Sequence, residues 1–159
     1  MNKHIVLVTL LVAGCSKKAD LPPKPINGAP VAFVAGAITP GEHGTIAVKA
    51  YNFSDKRTAQ YGFIMRFHDA GGAVLKVPFG TDSFKDIGFG SVSGKAFLCE
   101  PQAWCNFTLE GFEVPAKATS VEILATSIGS LKDDVHFDDK PLFDAPFAME
   151  WPSAKSAKL

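Results

Sequence analysis

Through the middle of the chain, apolar and polar side chains alternate with a period of two. Ile46, Val48 and Ala50 are interleaved with Ala47, Lys49 and Tyr51, and Tyr61, Phe63, Met65 and Phe67 with Gly62, Ile64, Arg66 and His68. Successive side chains of an extended chain point to opposite faces, so each run predicts a half-buried strand. Asp69-Ala70-Gly71-Gly72 separates the second run from Ala73, Leu75, Val77 and Phe79. Glycine takes the positive φ of tight turns without a steric cost, and the pattern predicts a β-hairpin. Pro78 lacks a ladder donor and places that strand at an edge or at its own end. Further strands are predicted at Ala32 to Ile38, Ser93 to Cys99, Cys105 to Val114, Ser120 to Ile128 and Phe147 to Trp151. Within the Cys105 strand the inward positions change parity, from Cys105, Phe107 and Leu109 to Phe112 and Val114. One extra residue at Glu110-Gly111, a β-bulge, restores the phase. About eight short strands at regular spacing predict an all-β protein built as a two-sheet sandwich.

The two ends read differently. Lys3 and His4 precede an apolar run from Ile5 to Val12, followed by Ala13 and Gly14, the layout of a secretory signal over residues 1–14. The run is far shorter than the roughly 20 residues that a membrane-spanning helix needs. Leu11-Val12-Ala13-Gly14-Cys15 resembles the bacterial lipobox, with Val12 where leucine is commoner. The resemblance implies cleavage before Cys15 and attachment of a diacylglycerol and a further acyl chain to that cysteine, an assembly of two or three chains that holds a protein stably on a membrane. Ser16 follows the cysteine, and in the enterobacterial sorting pattern a serine there directs a lipoprotein to the outer membrane. From Cys15 to Pro30 the chain is proline- and lysine-rich and predicts an extended tether. The folded domain is expected over residues 31–152, with a small, polar tail over 153–159.

Sixteen Lys and Arg balance sixteen Asp and Glu, and no basic run is interleaved with aromatics. That distribution argues against a nucleic-acid partner. With Cys15 lipidated, Cys99 and Cys105 are the remaining cysteines, and an exported compartment permits them to pair. A straight strand would hold them about 20 Å apart, whereas a disulfide requires Cα atoms within about 7 Å. The chain must therefore reverse between them, which predicts Glu100 to Trp104 as a hairpin loop stapled at its base. An aromatic at the tip of a rigid loop is a typical binding anchor, so Trp104, with Pro101 beside it, is the candidate binding residue, the alternative being that its ring folds back over Pro101 and the disulfide.

Other chemistry is thinly represented. His136 lies in Asp133-Asp134-Val135-His136-Phe137-Asp138-Asp139, which offers oxygen ligands but lacks the order and central glycine of an EF-hand. His43 and His68 fall in a turn and on a polar strand face. Neither G-x-S-x-G nor S-x-x-K occurs, and Gly88 to Gly94, without a P-loop ending, reads as a bend between strands. Asn52-Phe53-Ser54 and Asn106-Phe107-Thr108 match the acceptor pattern for N-glycosylation, which carries little weight in a bacterial lipoprotein. No catalytic residue, metal ligand or cofactor is assigned.

The stretch from Thr45 to Ile128 resembles the immunoglobulin-like FxLYD-type modules of bacterial envelope proteins: a strand, an Asn-containing turn (Asn52-Phe53-Ser54), then a strand ending in an Asp-x-x-Gly turn (Asp69 to Gly72). The motif that names the family is absent, with Phe67-His68-Asp69 standing where it would end. The resemblance implies a β-sandwich with a binding or structural role. The expected function is that of an outer-membrane-anchored, non-catalytic binding or assembly module, held to lipid through Cys15, whose partner is an envelope protein or peptidoglycan. The alternatives are an envelope polysaccharide hydrolase and a small-ligand or metal carrier.

Overall fold

The computed structural model describes residues 21–24, 26–79, 81, 83–145 and 151. The signal segment, Cys15, Ser16, the 153–159 tail and most of the predicted strand from Phe147 to Trp151 lie outside the described residues. Among the described residues nine strands form: β1 (Val31–Thr39), β2 (Gly41–Asn52), β3 (Thr58–His68), β4 (Val77–Pro78), β5 (Phe84–Lys85), β6 (Gly88–Ser93), β7 (Ala103–Val114), β8 (Ser120–Ser130) and β9 (Phe143–Asp144). One sheet has the order β1-β2-β7, a second β6-β3-β8-β9, and β4 and β5 make a small ribbon. All named pairings are antiparallel. Three strands packed on four, with the chain crossing between sheets after β2, β6 and β7, give an immunoglobulin-like sandwich.

The alternating positions build the core. Ile46, Val48 and Ala50 of β2 and Leu109 and Val114 of β7 are buried against Tyr61, Phe63, Met65 and Phe67 of β3 and Val121, Ile123 and Ile128 of β8. Burying each large apolar side chain contributes about 1.5–3 kcal/mol. Aromatic rings fill the middle: Tyr61 stacks on Phe107 at 5.7 Å between centroids, and Phe33 meets Tyr61 edge-on at 5.5 Å. The β7 bulge falls where the parity change requires it. Thr45 pairs with Glu110 but Gly44 with Phe112, leaving Gly111 unpaired at φ 76°. Glycine alone takes that angle cheaply, and Phe112 and Val114 return to the inner face.

Three sequence expectations change. Gly88 to Ser93 is a strand and not a bend: β6 pairs along β3 from Gln60↔Ser93 to Met65↔Gly88. Its glycines hide the alternation, and at Gly90 the reason is packing, since a Cβ there would stand 2.5 Å from the rings of Phe63 and Phe112. The expected strand from Ser93 to Cys99 is instead a 3-10 turn over Lys95–Phe97 that leads out of the sheet. The hairpin after Asp69 closes, with Asp69 N–H donating to Ala73 O and Leu75 N–H to Phe67 O. It does not continue to Phe79, because β6 occupies the same edge of β3, and the chain leaves to form the β4–β5 ribbon. A second, smaller apolar layer covers the outside of the four-stranded sheet, where Ile64, Ile87 and Leu124 are buried with Phe89 and Trp151 packed on them.

Candidate functional site

At one end of the sandwich a buried polar corner fixes three segments. Asn52, the last residue of β2, is fully buried. Its Nδ2 donates to Lys56 O at 2.7 Å and Cys99 O at 3.2 Å, and its Oδ1 accepts from Ser54 N–H at 3.0 Å and Ser54 Oγ at 2.7 Å. Asn52-Phe53-Ser54 is thus a side-chain-stabilised turn. Beside it Tyr61 is buried with its hydroxyl 2.9 Å from Thr58 Oγ1 and donating to Thr58 O at 3.0 Å. Burial pushes the Tyr61 hydroxyl up to about 12, against the opposing bond from Thr58.

Cys99 and Cys105 form a disulfide with Cα atoms 5.2 Å apart. The chain does reverse between them, but the bond is not the base of a hairpin. Cys99 exchanges backbone hydrogen bonds with Thr58 at the start of β3, at 2.8 and 3.0 Å, while Cys105 belongs to β7. The disulfide therefore ties the four-stranded sheet to the three-stranded one. The turn is also shorter than expected. Pro101 and Gln102 make it, with Gln102 at φ 51°, an uncommon angle for a residue with a side chain. Gln102 is held there by bonds from its side-chain amide to Phe53 O and Ser54 O and by the Tyr51 hydroxyl donating to Gln102 O at 2.9 Å.

Trp104 is consequently not at a loop tip. It lies in β7, opposite Tyr51, with its backbone in the ladder. Its ring is half-buried on the outer face of the three-stranded sheet, 5.3 Å from Tyr51 edge-on, with Lys49 Nζ 4.3 Å from its centroid. Tyr51 in turn meets Phe53 at 4.7 Å. Register and strand periodicity set three cross-strand rows on this face: Ala32–Tyr51–Trp104, Val34–Lys49–Asn106, and Gly36 beside Ala47–Thr108. The last two rows line a trough of about 450 Å³. Asn106 and Thr108 stand two residues apart and so share this face, with Phe107 turned into the core between them.

Of the remaining candidates, His68, His136, Asp133, Asp134 and Asp138 are engaged in hydrogen bonds and ion pairs. Asp133 Oδ1 accepts the backbone N–H groups of His136 and Val135, both at 2.8 Å, and with the His136 ring these bonds hold its carboxyl down at about 2. Asp138 accepts from Ser130 Oγ at 2.6 Å and pairs with Lys56 at 3.0 Å, and both contacts lower its carboxyl. Arg57 pairs with Asp134 at 2.7 Å. On the four-stranded sheet Glu122 receives His68 Nε2 at 2.8 Å and Arg66 Nη2 at 2.7 Å. Burial works against the Glu122 charge, but the bonds from His68 and Arg66 outweigh it and hold the carboxyl below the usual range. Among the described residues no group of three or more His, Cys, Asp or Glu side chains is arranged to hold a metal ion.

Sequence reasoning selected Trp104 and Pro101 but missed the trough and the part Lys49, Tyr51, Asn106 and Thr108 play beside it. The signal was present in the outward positions of β2 and β7, which were legible as a face once β2 and β7 were known to be neighbours. No family model, curated protein or solved structure matches the chain.

Proposed function

We propose that this chain is a lipoprotein anchored through Cys15 to the outer membrane, whose sandwich is a non-catalytic binding module for an envelope component. The observation that carries the binding part is the row of Tyr51 and Trp104 on an outer sheet face, locked from behind by the Gln102 turn and the Cys99–Cys105 bond. Aromatic side chains that are already ordered lose little freedom on association, and tryptophan and tyrosine are over-represented where binding energy concentrates. The pinned state of His68, His136, Asp133 and Asp138 supports a structural and not a catalytic use of those groups. The anchor rests on the lipobox.

Two experiments test the two halves. Cys15→Ala removes labelling by a fatty-acid analogue and leaves an uncleaved or released protein; a wild-type protein that takes up no lipid sinks the anchor. Trp104→Ala weakens capture of the partner that the wild-type protein retrieves from envelope extracts by about thirtyfold. Because the ring is half-buried between Tyr51 and Lys49, the same change costs about 1 kcal/mol of stability. Unchanged capture moves the binding surface away from this face.

A further inference from the structure

We propose that two copies of this chain pair through β7, edge to edge and antiparallel, about a two-fold axis at Asn106. β7 ends its sheet, with β2 on one side and no strand on the other. Phe53 N–H donates to Pro30 O where Val31 faces Asn52, so the odd-numbered residues at this end of β2 turn their backbone groups toward β1 and the even-numbered ones toward β7. Asn52, Ala50, Val48 and Ile46 face Ala103, Cys105, Phe107 and Leu109. Trp104, Asn106 and Thr108 therefore aim their N–H and C=O groups away from the sheet, and among the described residues no backbone hydrogen bond meets them there. The 3-10 turn approaches this edge through the ring of Phe97, 5.4 Å from that of Phe107. Cys105 and Phe107 point into the sandwich and are still only partly buried, as an uncovered flank requires.

Natural sheets protect such edges with short strands, charges, prolines or bulges. β9 has two residues, and β1 is interrupted by a bulge between Ala35 and Ile38. β7 runs for 12 residues, and from Ala103 to Leu109 it carries no charged side chain and no proline. A strand that completes this edge must be uncharged, with apolar side chains at the alternate positions that cover Cys105 and Phe107. β7 is itself such a strand. Its open stretch is bounded by the turn at Pro101 and Gln102 and by the bulge at Gly111, and Asn106 is the midpoint of Ala103 to Leu109. Antiparallel pairing about that midpoint sets Asn106 against Asn106 of the second copy and Trp104 against Thr108 of the second copy, and each facing pair exchanges both N–H···O bonds. On the inner side Cys105 of one copy comes beside Phe107 of the other and covers it. Glu110 meets Gln102 and not another acid. The two three-stranded sheets become one, in the order β1-β2-β7-β7-β2-β1, and Trp104 of each copy stands at the Ala47–Thr108 end of the other's trough.

The test follows the full chain, solubilised in detergent, through a dilution series by light scattering that separates protein mass from detergent mass. It runs as a dimer that dissociates on dilution. Asn106→Lys and Asn106→Asp each place like charges across the axis at an exposed position and weaken association by about tenfold or more. Mixed in equal amounts the two variants pair again, ammonium opposite carboxylate. Amide hydrogen exchange reads the same contact without a substitution: the N–H groups of Trp104, Asn106 and Thr108 are protected in the dimer and exchange in the dilute monomer, whereas those of Cys105 and Phe107, bonded to β2, are protected in both. That measurement decides the matter if either variant fails to fold in a thermal melt. A wild-type chain that stays monomeric throughout, or a dimer that keeps its affinity in the folded Asn106→Lys variant, overturns the proposal. Protection of the outward amides in a monomer overturns it as well, since a different strand then covers the edge.

Discussion

Replacing Asn52 strips several buried hydrogen bonds at once, and those bonds set the size of the effect. The side chain is fully buried and makes four contacts, donating to Lys56 O and Cys99 O and accepting twice from Ser54. A buried group stripped of its partner costs about 1–3 kcal/mol. The Cys99 carbonyl is the most enclosed of the partners, while those at Lys56 and Ser54 are partly reached by water. Asn52→Ala therefore costs about 3–4 kcal/mol, a large part of a typical stability of about 5–15 kcal/mol. Asn52→Asp is the sharper probe. It keeps the volume and the acceptor for Ser54 but turns the donor toward two carbonyl oxygens as a carboxyl. Protonated, that carboxyl donates one bond; ionised, it donates none and buries a charge. Its pKa in the folded protein is raised above the unfolded value of about 3.9. The variant is thus closest to the wild type below about pH 4 and loses stability as the pH rises through the folded pKa. Urea denaturation of both proteins at pH 4 and pH 8, followed by far-ultraviolet circular dichroism, measures the gap. A gap that is the same at both pH values, or under about 0.5 kcal/mol at pH 8, would refute the assignment of Asn52 as a donor to both carbonyls.

Three further outcomes can be measured on the same fold. Cys99 and Cys105 react with an alkylating agent after reduction and not before, and the Cys99→Ser, Cys105→Ser double variant loses about 2–2.5 kcal/mol, the loop-closure value for so short a ring; free thiols in protein taken from an oxidising compartment count against the bond. Tyr61 titrates near pH 12 by absorbance of the ionised phenol. Since its folded pKa lies above the unfolded value of about 10, its contribution is complete below pH 10 and is lost between pH 10 and 12; Tyr61→Phe flattens that loss, and an unchanged alkaline limb speaks against it. Gly90→Ala forces a methyl into the space of the Phe63 and Phe112 rings and costs about 1–3 kcal/mol by thermal melting, whereas a neutral result means the rings move aside.

The long strands were legible because each buries one face and displays the other. β2 and β3 carry that alternation plainly, whereas β8 changes parity where Gly62 pairs with Ser127 and Phe63 with Ala125, and the Glu110-Gly111 bulge could be placed from the parity of Leu109 and Phe112 alone. β6 was not legible. Gly88 and Gly90 have no side chains to alternate, and the reason at Gly90, the volume taken by Phe63 and Phe112, exists only after the sheets meet. Ile64 and Leu124 sit on the side of their strands that alternation assigns to solvent. They are buried because Ile87, Phe89 and Trp151, distant in the chain, cover them. The candidate site divides the same way. The chemistry of Trp104 was evident, but its place was misjudged because Cys99 pairs with β3, and a disulfide between sheets looks identical in sequence to one closing a hairpin.

The strand order also has a kinetic consequence. Of the large pairings, β1 with β2 is the one between consecutive strands; β2 waits for β7, and β3 for β6 and β8. Ile46 has no partner on that side until Leu109 has been synthesised, and Met65 none until Gly88 and Ile123 arrive. Proteins dominated by such distant pairings close large loops before contacts repay them, and fold in milliseconds to seconds. Throughout that interval two strands rich in Ile, Val, Phe and Met present open edges, the condition under which chains associate with one another. Assembly of this protein is therefore slow by virtue of its topology, and its yield depends on what shields β2 and β3 while the second half of the chain is still arriving.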